Sequence, residues 1–305
     1  MNFNFLLKPL GWILRQLSLL FGGNFAIGVF MFTLVVNVAM IPLSIKTQKS
    51  SVGQMRIKPK MDILKEKYGD DKQRYSQEMQ KLYQQENISM SGGCLPMLIR
   101  FPIMLGIYQV VLKPLTYIVE IPVNVLENAK NALQATLGSG VKLQQYYEPD
   151  LINKISSHAI TGFEDIEQKL GQFNFNFLGI DLTKQPKFNI DIIGHAQIEW
   201  LIPVMAFLAA LLTSIVSLKI QKKTNPSAQS MAGMMLTMPL ISLFIGFKVS
   251  CAAGFYWACS SLIAGGIQAV LQYVYGPNKM IAAEQTKELY KRYKEETKIM
   301  QKVKE

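Results

Sequence analysis

The sequence is poor in the residues from which most enzyme and metal sites are built. It has two histidines, three cysteines and only 17% charged residues among 305. Cys94, Cys251 and Cys259 form no C-x-x-C pair and no metal-ligand spacing, so we interpret them as buried free thiols. The motifs H-E-x-x-H, G-x-S-x-G and the Walker phosphate-binding loop are also absent. These absences argue against an enzyme, and no cofactor or metal is expected.

Acidic residues are scarce in the long apolar runs. A membrane-spanning helix needs about 20 apolar residues, and five runs qualify, at 23–45, 94–118, 199–218, 231–249 and 253–275. The five runs contain one acidic residue, Glu199, at the edge of the third run. This pattern argues against intramembrane aspartyl proteolysis and carboxylate proton relays. It predicts an all-α integral membrane protein with five transmembrane helices.

The net charge is +11, and the basic and acidic residues are distributed unequally among the segments that connect the predicted spans. Basic residues outnumber acidic ones in 46–93, 219–230 and 276–305, whereas acidic residues outnumber lysines in 119–198. Short basic connections stay in the cytoplasm. We therefore predict a multi-pass plasma membrane protein with its N-terminus outside and its C-terminus cytoplasmic. Because the charge follows membrane side, DNA binding is not expected.

The segments at the outer face have separate predictions. Residues 1–22 are predicted to form an amphipathic helix in the outer interface, with Trp12 on its apolar face and Lys8 and Arg15 on its polar face. A sixth span is the alternative. Residues 119–198 are expected to form a mainly helical extracytoplasmic segment.

The cytoplasmic segments are predicted to be helical as well. Residues 46–93 are predicted to be a helical hairpin that breaks at Gly69, and 219–230 a short loop. The charged surface of the hairpin is either solvated or a docking surface. The tail 276–305 is either a solvated helix or a contact for ribosomal RNA or anionic lipid.

Two polar side chains interrupt the runs deep within the predicted membrane. At 1.5 Å per residue, Asn37 and Arg100 lie about 12 and 9 Å from the cytoplasmic ends of their spans. A hydrophilic recess open to the cytoplasm would accommodate both, although Arg100 could instead reach the inner headgroups. Other polar side chains predicted to line this groove are Ser214, Ser261, Gln268 and Gln272. Each of these could equally be a helix-packing residue.

The chain resembles the YidC insertase family, with its mitochondrial Oxa and chloroplast Alb relatives. The matching stretches are TLVVNVAMIPLSIKTQKSS, KPKMDILKEKYGDDKQRYSQEMQKLYQQENIS, GGCLPMLIRFPIMLGIYQVV, NFNFLGIDL and FYWACSSLIAGGIQ. They cover nearly the whole chain, in order. The five spans look like the Gram-positive form.

The resemblance implies a membrane protein insertase and chaperone that acts alone or with the Sec translocon. Such proteins receive the polar segments of nascent membrane proteins in a hydrophilic groove open to cytoplasm and lipid. The resemblance also implies ribosome contact through the basic tail. A channel or small-solute transporter is the alternative function, and a structural membrane scaffold is a second rival.

The chain departs from the family pattern at the groove. The family usually has an arginine where this chain has Asn37, and a glutamine where this chain has Arg100. The simplest physical interpretation is that the cation has moved to the facing groove wall at a similar depth. The outer segment of 119–198 is also longer than expected for the Gram-positive form.

Overall fold

The computed structural model describes residues 4–86, 95–137, 148–157, 162–186, 197–224 and 232–304, and these are mostly helical. The chain divides into two compact units. The first contains Met1–Ala39, Arg100–Leu218 and Met231–Gly265, and the second contains Met40–Ile99, Lys219–Ser230 and Gly266–Glu305. Each unit is described by itself.

The described elements follow one another in chain order. The helices are α1 Asn4–Leu20, α2 Phe25–Ala39, α3 Ile41–Tyr68, α4 Lys72–Gln85, α5 Leu95–Leu112, α6 Pro114–Tyr117, α7 Val123–Leu137, α8 Glu148–Ser156, α9 Glu164–Leu170, α10 Leu201–Thr224, α11 Ala232–Gly246, α12 Cys251–Val274 and α13 Pro277–Lys304. Strands β1 Asn176–Phe177 and β2 Ile180–Asp181 form an antiparallel hairpin, and a 3-10 helix covers Ile198–Trp200.

Several described helices are apolar enough for a bilayer. By length and composition, Ile198–Lys219 and Cys251–Thr297 could each cross a membrane, and the bent pair Phe25–Ala39 and Ile41–Lys49 could form a third span. These helices agree with the predicted all-α membrane protein. The arrangement of five spans remains a prediction.

The first apolar run is not one continuous helix. The predicted span of 23–45 contains all of α2, a turn at Met40 and the start of α3, where Pro42 occupies the first turn. Proline lacks an N–H donor, and its ring clashes with the carbonyl group four residues earlier, here that of Val38 in α2, so the helix cannot continue unbroken through Pro42. The predicted break at Gly69 corresponds to residues 69–71, between α3 and α4.

Helix α1 packs against α2 within the first unit. Leu7, Leu14 and Ser18 are buried, whereas Trp12 is exposed. A Cβ atom added to Gly28 of α2 would overlap Ser18, so the two helices approach closely there. The side of α1 that carries Trp12 is exposed to the surroundings of the protein, as expected for an interfacial helix.

Helices α10 and α12 meet through small residues. Ala206, Ala209 and Ala258 form a buried cluster. A Cβ atom added to Gly254 would lie 2.8 Å from Cγ2 of Ile202, whose side chain is fully buried. Close contact of this kind stabilises helix pairs in lipid, where no hydrophobic effect drives association.

Enlarging Gly254 is therefore expected to destabilise the first unit. Gly254→Leu should lower the free energy of unfolding by about 1–3 kcal/mol through overpacking, measured as a lower melting temperature in detergent. Gly266→Leu on the same helix is the matched control, because a Cβ atom there meets nothing within 4 Å. Both variants gain similar helix propensity. Equal melting temperatures would contradict the close contact.

Residues 119–198 contain a feature that the sequence interpretation missed. Besides α7, α8 and α9, they contain the β1–β2 hairpin, which turns at Leu178 and Gly179 with φ values of 50° and 82°. Two positive φ values in succession are typical of a type I′ hairpin turn. The alternation Phe-Asn-Phe-Asn-Phe over 173–177 was a period-2 signal for a strand.

The hairpin segment caps two apolar helices. At the start of α2, the Phe25 N–H donates to the Asn174 carbonyl at 3.0 Å. At the start of α12, the Cys251 N–H donates to the Lys184 carbonyl at 2.8 Å, and the Ala252 N–H donates to the Leu182 carbonyl at 2.7 Å. The first N–H groups of a helix have no partner within the helix. Carbonyl groups of residues 174–184 therefore accept one N–H group at the start of α2 and two at the start of α12.

A buried carboxyl group joins α8 to α6. Glu148 is 2% exposed, and its carboxylate accepts the Thr116 N–H at 3.0 Å and the Thr116 hydroxyl at 2.5 Å. Burial raises the pKa of the Glu148 carboxyl, and the hydrogen bonds from Thr116 partly offset this rise.

The second unit contains a helical hairpin within the predicted segment 46–93. Helices α3 and α4 pack through Ile57, Leu82 and Tyr83. At the base, Glu86 pairs with Lys60 at 2.5 Å, and the hydrogen bond from Lys60 lowers the pKa of the Glu86 carboxyl. A thin apolar seam thus holds the two helices together, with an ion pair at its end.

Candidate functional site

Asn37 faces the interior of the first unit. It is 8% exposed, whereas Leu34, Val35 and Val38 on the other side of α2 are exposed. The side-chain amide of Asn37 donates to the Thr33 carbonyl oxygen at 2.8 Å. One turn earlier, the Thr33 hydroxyl donates to the Val29 carbonyl oxygen at 2.6 Å. The buried face of α2 therefore carries two polar side chains, and Thr33 was not predicted from the sequence.

Arg100 lies on α5, with its side chain outside the described residues. The helix is anchored two turns further on, where Tyr108 stacks on Trp257 of α12 with ring centroids 5.9 Å apart. Offset aromatic stacking of this kind contributes about 0.5–1.5 kcal/mol beyond area burial. The backbone that carries Arg100 thus belongs to a helix fixed against α12.

Ser214 on α10 and Ser261 on α12 are half-buried, and each adjoins a more exposed apolar side chain, Ile215 and Leu262 respectively. Next to Ser214, the Thr213 hydroxyl donates to the Ala210 carbonyl oxygen at 2.9 Å. A Cβ atom added to Gly265 would overlap the Thr213 side chain, so α10 and α12 are close here as well. Thr213 is thus a packing residue.

Gln272 belongs to the second unit and pairs with a residue of α3. The Gln48 side-chain amide donates to Oε1 of Gln272 at 2.5 Å and to the Tyr275 carbonyl oxygen at 3.5 Å. Gln268, one turn earlier on α12, is exposed. Sequence reasoning missed Gln48, although it stands in one of the stretches on which the family resemblance rests.

Removing one partner of the Gln48–Gln272 pair is expected to cost more than removing both. Gln48→Leu should destabilise the protein by about 1–3 kcal/mol, because Gln272 loses a donor at a half-buried site. The double variant Gln48→Leu/Gln272→Leu should recover most of this loss, because two apolar side chains can pack where two amides paired. Melting temperatures in detergent measure both effects. Additive losses would show that the two amides are not coupled.

The six predicted groove residues are divided between the two units. Asn37, Arg100, Ser214 and Ser261 belong to the first unit, and Gln268 and Gln272 belong to the second. No group of three metal-binding side chains occurs in the described part of the chain. The described side chains of this set are uncharged amides and hydroxyls: Asn37, Ser214 and Ser261 in the first unit, and Gln268 and Gln272 in the second.

Comparison with known proteins identifies the family. Residues 16–279 match the model of the 60Kd inner membrane protein family. Membrane protein insertase YidC 2 of Listeria innocua is 27% identical over 273 residues, which cover 88% of this chain and 69% of the relative.

Shorter matches are more similar. Membrane protein insertase YidC of Vibrio cholerae is 42% identical over 105 residues, covering 34% of this chain and 19% of the relative. The protein of the same name from Stutzerimonas stutzeri is 38% identical over 109 residues, covering 36% of this chain and 19% of the relative. The predicted resemblance and the prediction of a non-enzymatic insertase are confirmed. The chain therefore belongs to the 60Kd inner membrane protein family, the family of the YidC membrane protein insertases.

Proposed function

We propose that the chain inserts nascent membrane proteins by receiving their polar segments in an intramembrane hydrophilic groove and releasing their spans into lipid. The observation that carries this proposal is the match to membrane protein insertases over 88% of the chain. The groove would be open to the cytoplasm and formed by five transmembrane helices. Asn37, Arg100, Ser214, Ser261, Gln268 and Gln272 would line it.

The buried position of Asn37 supports this groove. In an apolar helix, a polar side chain that faces protein rather than lipid costs less free energy and commonly marks a functional pathway. Asn37 faces the protein, and exposed apolar side chains occupy the other side of α2. Its amide can exchange hydrogen bonds with a passing peptide group, since both are neutral amides of similar strength.

Arg100 would supply the charge of the groove. A cation in a site of low dielectric attracts the acidic side chains of a substrate tail, which lowers the cost of moving them into the membrane. Arg100 would thereby replace the arginine that family members carry at the position of Asn37. In this proposal the N-terminus is outside and the C-terminus is cytoplasmic, as the positive-inside rule predicts.

The tail helix supports a contact with the ribosome. On α13, Lys287, Lys291 and Lys294 recur at intervals of four and three residues and are exposed, so they form a basic stripe on one face. Such a stripe would bind RNA phosphates in a salt-dependent way. We also propose that the chain acts alone or beside the Sec translocon.

Reconstitution tests the proposed function against a channel or small-solute transporter. Vesicles containing the purified protein should insert a single-span substrate with a polar outer tail, measured by protease protection, while the leakage of ions and small solutes stays at the level of empty vesicles. Solute flux without insertion would favour the channel or transporter.

Photocrosslinkers at positions 37, 100 and 268 should each capture a stalled nascent chain. If position 100 gives no crosslink, Arg100 anchors at the inner headgroups instead.

A further inference from the structure

The tip of the β1–β2 hairpin combines strain with exposure. Leu178 adopts a positive φ of 50° and is 83% exposed. The left-handed region is unfavourable for a side chain of this size, and asparagine or glycine usually occupies it in a hairpin turn. A leucine that is both strained and exposed to water is disfavoured twice over, which indicates that another surface covers it.

Contacts within the first unit hold this tip at the end of an apolar helix. Phe177, which directly precedes Leu178, packs on Phe255 of α12 with ring centroids 4.6 Å apart. Phe255 stands four residues into α12, about 6 Å from its start. The hairpin therefore lies beside the first turn of a helix that is long and apolar enough to cross a membrane.

The residues around the hairpin are of the kinds found at a membrane–water interface. Strand β2 contacts the 3-10 helix Ile198–Trp200, which opens the other candidate span. There Ile198 and Leu201 are exposed, and Trp200 packs edge-on against Phe247. Tryptophan is enriched at membrane–water interfaces. Residues 171–180 contain no ionisable side chain, so nothing in the hairpin opposes contact with acyl chains.

We propose that the hairpin is a lipid anchor, in which Leu178 inserts into the outer leaflet beside α12. Ile198 and Leu201 extend the same apolar surface. The anchor is a property of the outer end of the molecule, and it goes beyond the insertase activity proposed above. The bilayer is the surface that fits, because the tip is apolar and is fixed at the level where a candidate span begins.

Depth-dependent fluorescence quenching tests the proposal. In a full-length background carrying Cys94→Ala, Cys251→Ala and Cys259→Ala, Leu178→Cys is labelled with an environment-sensitive dye and reconstituted into phosphatidylcholine and phosphatidylglycerol vesicles. The dye at position 178 should be quenched strongly by lipids with a doxyl group near the headgroup and several-fold less than a water-exposed dye by aqueous iodide. Ile198→Cys should behave in the same way.

Gln168→Cys is the matched control, because it is exposed on α9 of the same outer segment. Its dye should be open to iodide and insensitive to doxyl lipids. The proposal is overturned if position 178 is as open to iodide as position 168, or if it is shielded without being quenched by doxyl lipids, which would indicate a protein cover. Shielding that disappears on dilution with excess lipid would indicate a second copy and would also overturn it. Because no arm measures insertion, failure of the anchor is distinguishable from failure of the insertase function.

Discussion

Arg100→Gln is expected to reduce the insertion of a substrate with an acidic outer tail by about tenfold or more, because an interaction between unit charges at contact is worth several kcal/mol at the effective dielectric of a protein. A substrate with a neutral tail should lose less. The measurement is protease protection of each substrate after insertion into reconstituted vesicles. Normal insertion of the acidic substrate by Arg100→Gln would show that the groove cation is not at position 100.

Two further variants test whether insertion depends on the positive charge itself or on its location at position 100. Arg100→Lys keeps the positive charge with a different stem and should retain most of the activity. Asn37→Arg in the Arg100→Gln background should restore insertion, because it returns a cation to the position where the family usually has it. Comparable melting temperatures for all three proteins would exclude a folding defect. Failure of Asn37→Arg to rescue would argue against an exchange of the cation between the two helices.

Glu148 is expected to make the stability of the segment that contains α6 and α8 depend on pH. Its folded-state pKa is raised above the ordinary value of 4.5, chiefly by burial. Below about pH 4.5 the group is protonated in both folded and unfolded states, and its contribution to stability is fully present. As pH rises through the folded-state pKa, the unfolded state releases its proton first, so the free energy of unfolding falls. Hydrogen exchange of α6 and α8 across this pH range measures the loss.

Two substitutions of Glu148 should have opposite outcomes at neutral pH. Glu148→Gln can accept the Thr116 N–H and donate to the Thr116 hydroxyl, so it should remain folded and show a flatter pH dependence. Glu148→Ala leaves both Thr116 groups without this partner and should cost about 1–3 kcal/mol, with a cavity penalty in addition. If Glu148→Gln keeps the pH dependence of the unsubstituted protein, the titrating group is another residue.

Local patterns in the sequence were sufficient for the mainly helical class and for the family. Apolar runs of membrane length, the break at Gly69 and the scarcity of acidic residues in the runs depend only on neighbours along the chain, and so does the prediction of an amphipathic helix over 1–22. The resemblance to the YidC family rests on short stretches of the same kind, and the comparisons confirmed it.

Local sequence patterns could not predict which residues distant in the chain contact one another. The break at Met40 had a local signal in Pro42, but no local rule says that Asn37 faces protein while Val38 faces outward. The pairing of Gln48 with Gln272 joins residues 224 positions apart. Helix periodicity orders side chains around one helix and does not say which face meets another helix.

The sequence by itself therefore determined the membrane class, the absence of the enzyme motifs and the presence of two unusual polar residues, Asn37 and Arg100, whereas the sidedness stays a prediction. Only the tertiary structure decided that Asn37 is buried, that Glu148 is enclosed with Thr116, and that residues 174–184 cap α2 and α12. The physical reason is that burial and backbone capping depend on which distant segments meet. The N–H groups that open α12 are satisfied by carbonyl groups from residues 182 and 184, some 70 positions earlier in the chain.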